Sequence, residues 1–187
     1  LVGGEGGIVA TNDDELAEYV TLGREYGNPG DYGSVFPGLN ARMPEFNALL
    51  ASKGLLQLKK HVSKRNEIAN IFNQGFKSAA GIKTQMISPL DESSYKDFNI
   101  TVEESKFGTG RDELSLYLKS KNIDTRKYHY PPVHTHKAYE HLFETYDPKL
   151  PVTNSVSEQC ISLPIWSDMD HDTAHYIVDT IIKHGQQ

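Results

Sequence analysis

Two stretches of the chain carry side chains able to do chemistry. Asn40 and Arg42 stand two residues apart in Gly38-Leu39-Asn40-Ala41-Arg42-Met43-Pro44, just ahead of a helical pattern. An amide and a guanidinium so placed can hold an oxyanion through charge-assisted hydrogen bonds. The same residues also read as the turn before a helix with one solvated arginine. The second stretch, Tyr128 to His136, gathers three histidines and two tyrosines around Pro131-Pro132, whose rings force extended backbone. Three readings of it stay open. It is an active-site loop offering imidazole and phenol to a polar substrate, a metal site through His134, His136 and a remote carboxylate, or an aromatic packing loop with solvated tips. No cysteine or H-E-x-x-H motif accompanies the histidines, and no metal is assigned.

Elements of two styles must position these residues. Gly3-Gly4-Glu5-Gly6-Gly7 reads as a glycine turn, and Ile8 to Thr11 as a short buried strand. Asn12 is the expected N-cap of a helix with Asp13, Asp14 and Glu15 in its first turn, running to about Tyr26 and stopped by Gly27-Asn28-Pro29-Gly30. Tyr32 and Phe36 lie in the loop that follows. From Pro44 to about Ala79, apolar residues at Phe46, Leu49, Leu50, Leu56, Val62, Ile68, Phe72 and Phe76 predict one long helix, with a bend at Gly54. Such a helix, about 50 Å long, could run from one domain into another. Beyond it the pattern changes to strands at 82–86 and 95–102, a helix over 112–121 and a third strand at 123–126. A short helix over 138–146, a helical or turn-like stretch over 156–161, an edge strand at Ser162-Leu163-Pro164-Ile165 and a final helix from Asp170 to Gly185 complete it. That order argues a small α+β unit.

The bulk figures narrow the function class. The 187 residues allow one domain or two small ones. With 19 basic and 25 acidic residues the net charge is −6, a poor match for nucleic acid or an anionic membrane. Cys160 is the only cysteine, so there is no intrachain disulfide, which fits the cytoplasm. No apolar run approaches the roughly 18 residues of a membrane span, and no signal peptide is evident. The opening Leu1-Val2-Gly3-Gly4, without an initiator Met, reads as the middle of a longer chain.

Three motifs in order resemble the DegT/DnrJ/EryC1/StrS family of pyridoxal-phosphate (PLP) sugar aminotransferases. They are Gly3-Gly4-Glu5-Gly6-Gly7 with its strand and Thr11-Asn12-Asp13; Asn40-x-Arg42-Met43-x-Glu45 with its long helix; and the region holding Ile123, Thr125, Arg126, Tyr128, Pro132, His134, Lys137, Tyr139, Leu150, Pro151, Thr153 and Ser162-Leu163-Pro164-Ile165. Each is weak alone; together they cover nearly the whole chain. His129 stands where many relatives have Tyr.

The resemblance implies a fold class of α/β and α+β: the C-terminal portion of a fold-type-I aminotransferase. Residues 1–55 would be the remnant of the PLP-binding large domain and the start of the connecting helix, and 56–187 the small C-terminal domain. It further implies amino transfer, with glutamate the usual donor, to a keto sugar carried on a nucleotide, in a cytoplasmic homodimer with shared active sites. Asn40 and Arg42 would reach the cofactor phosphate of the neighbouring subunit, Arg42 also the sugar nucleotide, and His134 and Tyr128 would contact substrate. The family's Schiff-base lysine falls at or before Leu1, and the first lysine here, Lys53, already belongs to the long helix. No catalytic residue is therefore expected in this chain, and the fragment alone is expected to be inactive. Two alternatives accompany that reading: a sugar dehydratase of the same family, in which histidine replaces the lysine, and a non-catalytic binding or dimerisation fragment.

Overall fold

The computed structural model describes residues 4–185. They divide into two compact units, the first ending at Lys59 and the second beginning at Lys60, with the border inside one continuous helix.

In the first unit, helix α1 spans Asp14–Gly23. Its N-cap is Asp13 rather than Asn12: the Asp13 carboxylate accepts the Leu16 amide at 3.1 Å, while Thr11 Oγ1 accepts the Asp13 amide at 3.0 Å. One residue decides which side chain reaches the third amide of the helix, and Asp13 does so. The helix ends earlier than Tyr26, because Tyr26 (φ 64°) and Gly27 (φ 72°) turn left-handed. The expected strand at 8–11 does not form, and Ile8 and Val9 are exposed. No described segment lies alongside to complete a ladder, and strand propensity without a partner does not make a strand. Of the proposed glycine turn, Gly3 lies outside the described residues; Gly4 and Gly6 have positive φ, and Glu5 O accepts Asn47 Nδ2 at 2.7 Å. Phe36 stacks on Tyr19 at 4.5 Å, whereas Tyr32 is fully exposed.

Helix α2 spans Glu45–Phe76 and stays helical through Gly54. The start after Pro44 and the length agree with the sequence pattern. Its last turns enter the second unit, where Ile68, Ala69, Phe72 and Phe76 are buried.

The second unit is built on an antiparallel sheet of order β1-β2-β3, with β1 Ile82–Thr84, β2 Phe98–Val102 and β3 Cys160–Leu163. Along β2 burial alternates, so Phe98, Ile100 and Val102 share the core face. Phe98 meets Phe72 edge-to-face at 5.0 Å. Helices α4 (Arg111–Ser120) and α7 (His171–Gly185) add Leu114, Leu118, Ala174, Ile177 and Ile181 to the same cluster. Short α3 (Glu104–Phe107) leads into α4, and buried Phe107 joins that core. Ser162 on β3 hydrogen-bonds its cross-strand partner Asn99, fixing the register from within.

The expected strand at 123–126 is reduced to one bridge. Arg126 exchanges both backbone hydrogen bonds with Ser162, at 3.1 and 2.7 Å. The rest of that segment is claimed by α4: Ile123 N donates to Leu118 O at 2.9 Å, and Thr125 Oγ1 lies 2.9 Å from Ser115 Oγ. After it come 3-10 turns at Val133–Thr135 and Lys137–Leu142, helix α5 (Phe143–Tyr146), a further 3-10 turn and helix α6 (Pro151–Gln159). Helix α6 starts earlier than the sequence suggested, with Pro151 in its first turn, where the missing N–H costs nothing. No helix among the described residues is long and apolar enough to cross a membrane.

Candidate functional site

Asn40 and Arg42 occupy a turn laid antiparallel to residues 24–26. Tyr26 N donates to Leu39 O at 2.9 Å and Ala41 N to Arg24 O at 2.9 Å. Beneath it the chain passes so closely that a Cβ on Gly38 would lie 2.1 Å from Gly27 N. The Arg42 guanidinium pairs with Glu25 through one nitrogen at 3.2 Å and lies 5.6 Å from the centre of the Tyr26 ring. Its side chain is 55% exposed, and the exposed Asn40 amide makes no side-chain hydrogen bond among the described residues. An ion pair between two such open side chains is worth little, of order 1 kcal/mol or less. Donors left open on both residues fit a phosphate, the group PLP and a nucleotide sugar share. They supply no aldehyde-binding amine, since no lysine precedes Lys53.

In the second unit, the loop from Lys127 to His136 walls a cavity of about 750 Å³ whose other wall is the segment from Tyr139 to Cys160. Tyr128, His129 and His134 all line it, so the structure brings together the two residues expected to touch substrate. His134 is buried, and its Nε2 lies 3.2 Å from Asp147 Oδ1. The same oxygen accepts Asn154 Nδ2 at 2.8 Å, so Asp147 is itself held. Phe143 stacks on the His134 ring at 6.3 Å. This arrangement fixes the imidazole plane and leaves Nδ1 without a hydrogen bond among the described residues. His136 does not join it: its Nε2 lies 3.0 Å from Pro131 O. Among the described residues no three His, Cys, Asp or Glu side chains gather as metal ligands.

The loop is fastened at its start as well. Cys160 Sγ donates to Tyr128 O at 3.5 Å. Burial pushes the Cys160 thiol above its ordinary value, against the opposing charge of Arg111, so it remains a protonated wall group rather than a nucleophile. Asp147, Asn154, Arg111 and Cys160 were not legible as site residues. Asp147 reads in sequence as the end of a helix, and nothing in its spacing from His134 announces the pair.

The sequence profile of the DegT/DnrJ/EryC1/StrS aminotransferase family matches residues 1–182. The chain is 32% identical over 181 residues to a dTDP-4-amino-4,6-dideoxy-D-glucose transaminase of Shigella dysenteriae, covering 95% of this chain and 47% of that protein. It is 31% identical to a dTDP-3-amino-3,4,6-trideoxy-alpha-D-glucose transaminase of Streptomyces venezuelae, covering 95% and 45%. The crystal structure of S. venezuelae DesV with a ketimine intermediate superposes with a TM-score of 0.86 at 27% identity, over 95% of this chain and 46% of that one. The chain thus spans about half the length of the curated relatives it matches. Its mixed helices and small sheet are those of the C-terminal portion of such an enzyme, and the chain belongs to the DegT/DnrJ/EryC1/StrS aminotransferase family.

Proposed function

We propose that this chain is the C-terminal part of a PLP-dependent aminotransferase that moves an amino group, from glutamate, onto a nucleotide-linked keto sugar. The observation that carries it is the family match over residues 1–182, joined to an Asn40–Arg42 turn whose donors stand open to an anion. When bound, PLP supplies the electron sink for amino transfer. Asn40 and Arg42 hold a phosphate, in trans, on the partner subunit of a homodimer with shared sites. Charge-assisted hydrogen bonds from a guanidinium and an amide fix both its position and its charge. His134, its plane set by Asp147, and Tyr128 present an imidazole and a phenol to the substrate at the cavity wall. The side chains that line the rest of that wall, among them Leu142, Val152 and Val156, give it an apolar surface. The lysine that anchors the cofactor precedes Leu1, and the 187-residue chain alone is inactive.

The first unit is then the end of the cofactor-binding domain and the second the small domain, with α2 as their connection. The dTDP-linked sugars in the relatives' names make thymidine diphosphate the natural probe. In the enzyme assembled with its lysine-bearing part, Arg42→Ala is expected to weaken PLP or nucleotide-sugar binding by about 1–3 kcal/mol, the loss of a charged hydrogen bond. Mixing that variant with a lysine-site variant is expected to restore part of the activity. Unchanged affinity for both ligands removes the role assigned to Arg42.

A further inference from the structure

Arg111 is an unexpected residue to find buried. It opens helix α4, its side chain is 5% exposed, and no part of the chemistry above uses it. Taking a guanidinium out of water is costly unless its donors and charge are met. Three groups meet them. Nε donates to Asp112 Oδ1 at 2.7 Å, Nη1 donates to the Ser157 carbonyl on α6, and the guanidinium carbon lies 4.4 Å from the centre of the Tyr130 ring. The Asp112 oxygen that takes Nε also takes Lys127 Nζ at 2.7 Å. Hydrogen bonds from Arg111 first and Lys127 second hold the Asp112 carboxyl below its usual range, so the bridge stays charged.

These contacts converge on one object. Lys127 and Tyr130 flank Tyr128 and His129 in the loop that walls the cavity, and Tyr130 N closes the turn on Lys127 O at 2.7 Å. Ser157 belongs to the opposite wall. Arg111 therefore touches both sides of the cavity from behind, without lining it. A planar fork with five donors can hold a carbonyl, a carboxylate and an aromatic face together; an ammonium cannot.

We propose that Arg111 is a positioning residue: through Tyr130, the Asp112–Lys127 bridge and the Ser157 carbonyl it fixes the 127–134 loop against α6, and so sets where Tyr128 and His134 meet substrate. The last clause rests on the function proposed above. Tyr128 and His129 have open side chains and no side-chain hydrogen bonds among the described residues, so the loop's shape is set by its anchors rather than by its tips.

The test uses Arg111→Lys, Arg111→Met, Tyr130→Leu and Tyr130→Phe. In the 187-residue chain, amide hydrogen exchange is followed at Tyr130 and His136 in the loop, and at Ile100 and Val102 in the sheet. Arg111→Met and Arg111→Lys are expected to speed exchange in the loop about tenfold while sheet amides change far less. Tyr130→Leu acts on the same contact from its half-exposed side, where folding is not at stake, and should loosen the loop too. Tyr130→Phe keeps the ring and should not. In the assembled enzyme the loosened variants should raise KM for the nucleotide sugar about tenfold with a smaller change in kcat. Exchange that rises equally in loop and sheet, or a lysine variant indistinguishable from wild type, overturns the proposal. Loosening with unchanged KM overturns the positioning role. A wild-type enzyme that takes no nucleotide sugar overturns the function instead, and the anchoring of the 127–134 loop by Arg111 is then decided on exchange alone.

Discussion

Phe98→Ala is expected to destabilise the second unit by about 3–5 kcal/mol, the range for removing a buried aromatic side chain. Phe98 is fully buried at the centre of the core. Its ring packs edge-on to Phe72 of α2 at 5.0 Å and lies 5.8 Å from Tyr95. Phe72 is anchored in α2 and Tyr95 in the loop just before β2, so neither collapses into the space without pulling its own backbone. The loss is a large share of the 5–15 kcal/mol that holds a domain of this size. Chemical denaturation followed by far-UV circular dichroism measures it; a change below about 1 kcal/mol would show that this core packs loosely. The loop that walls the cavity depends on the same core, since Arg126 pairs with Ser162 on β3 beside β2.

Gly38→Ala is expected to cost about 3 kcal/mol or more in the first unit, at the upper end of overpacking effects. The added Cβ would lie 2.1 Å from Gly27 N, 2.4 Å from Tyr26 C and 2.8 Å from Gly23 O. All three are backbone atoms, so no side-chain rotation relieves the clash. Gly27 is the other half of the crossing: its φ is +72°, and a Cβ there would lie 2.0 Å from Phe36 O. Two glycines let two strands of loop touch, and the touching places Asn40 and Arg42 two to four residues on. The substitution should therefore reduce binding of thymidine diphosphate by the assembled enzyme at least as much as Arg42→Ala does, about tenfold or more. It should leave amide exchange in β2 and β3 unchanged. Wild-type affinity in Gly38→Ala would show that the turn does not need this crossing.

The sequence reading succeeded where a signal is local or long. Helix α2 was legible because helical spacing of apolar residues persists for many turns, and Pro44 marks its start. Strands β1 and β2 were legible from alternation, which burial at Phe98, Ile100 and Val102 repeats, though both are shorter than expected and their antiparallel pairing was not read. The stretch from Tyr128 to His136 stood out by composition, which left its role open; the choice of Tyr128 and His134 came from the family resemblance. The failures concern partners, near or distant in sequence, that no local pattern announces. Strand 8–11 lacks a described neighbour, and 123–126 is taken over by α4 through Ile123 and Thr125. Asp147 is 13 residues from His134 and Arg111 46 from Ser157, and neither spacing has a period. The 3-10 turns from Val133 onward follow from Pro131 and Pro132, but their hydrogen bonds are chosen by tertiary packing.

The proposed function places its Schiff-base lysine ahead of Leu1. The most direct measurement is the sequence of the coding DNA immediately upstream of Leu1. A lysine codon within an S-F-x-x-x-K pattern, a few residues ahead of Gly3-Gly4-Glu5-Gly6-Gly7, is the predicted result and makes the chain the C-terminal part of a sugar aminotransferase. A histidine at that position would contradict it in favour of a dehydratase. A start codon with no upstream coding sequence would leave Asn40, Arg42, Tyr128 and His134 without the amine on which amino transfer depends.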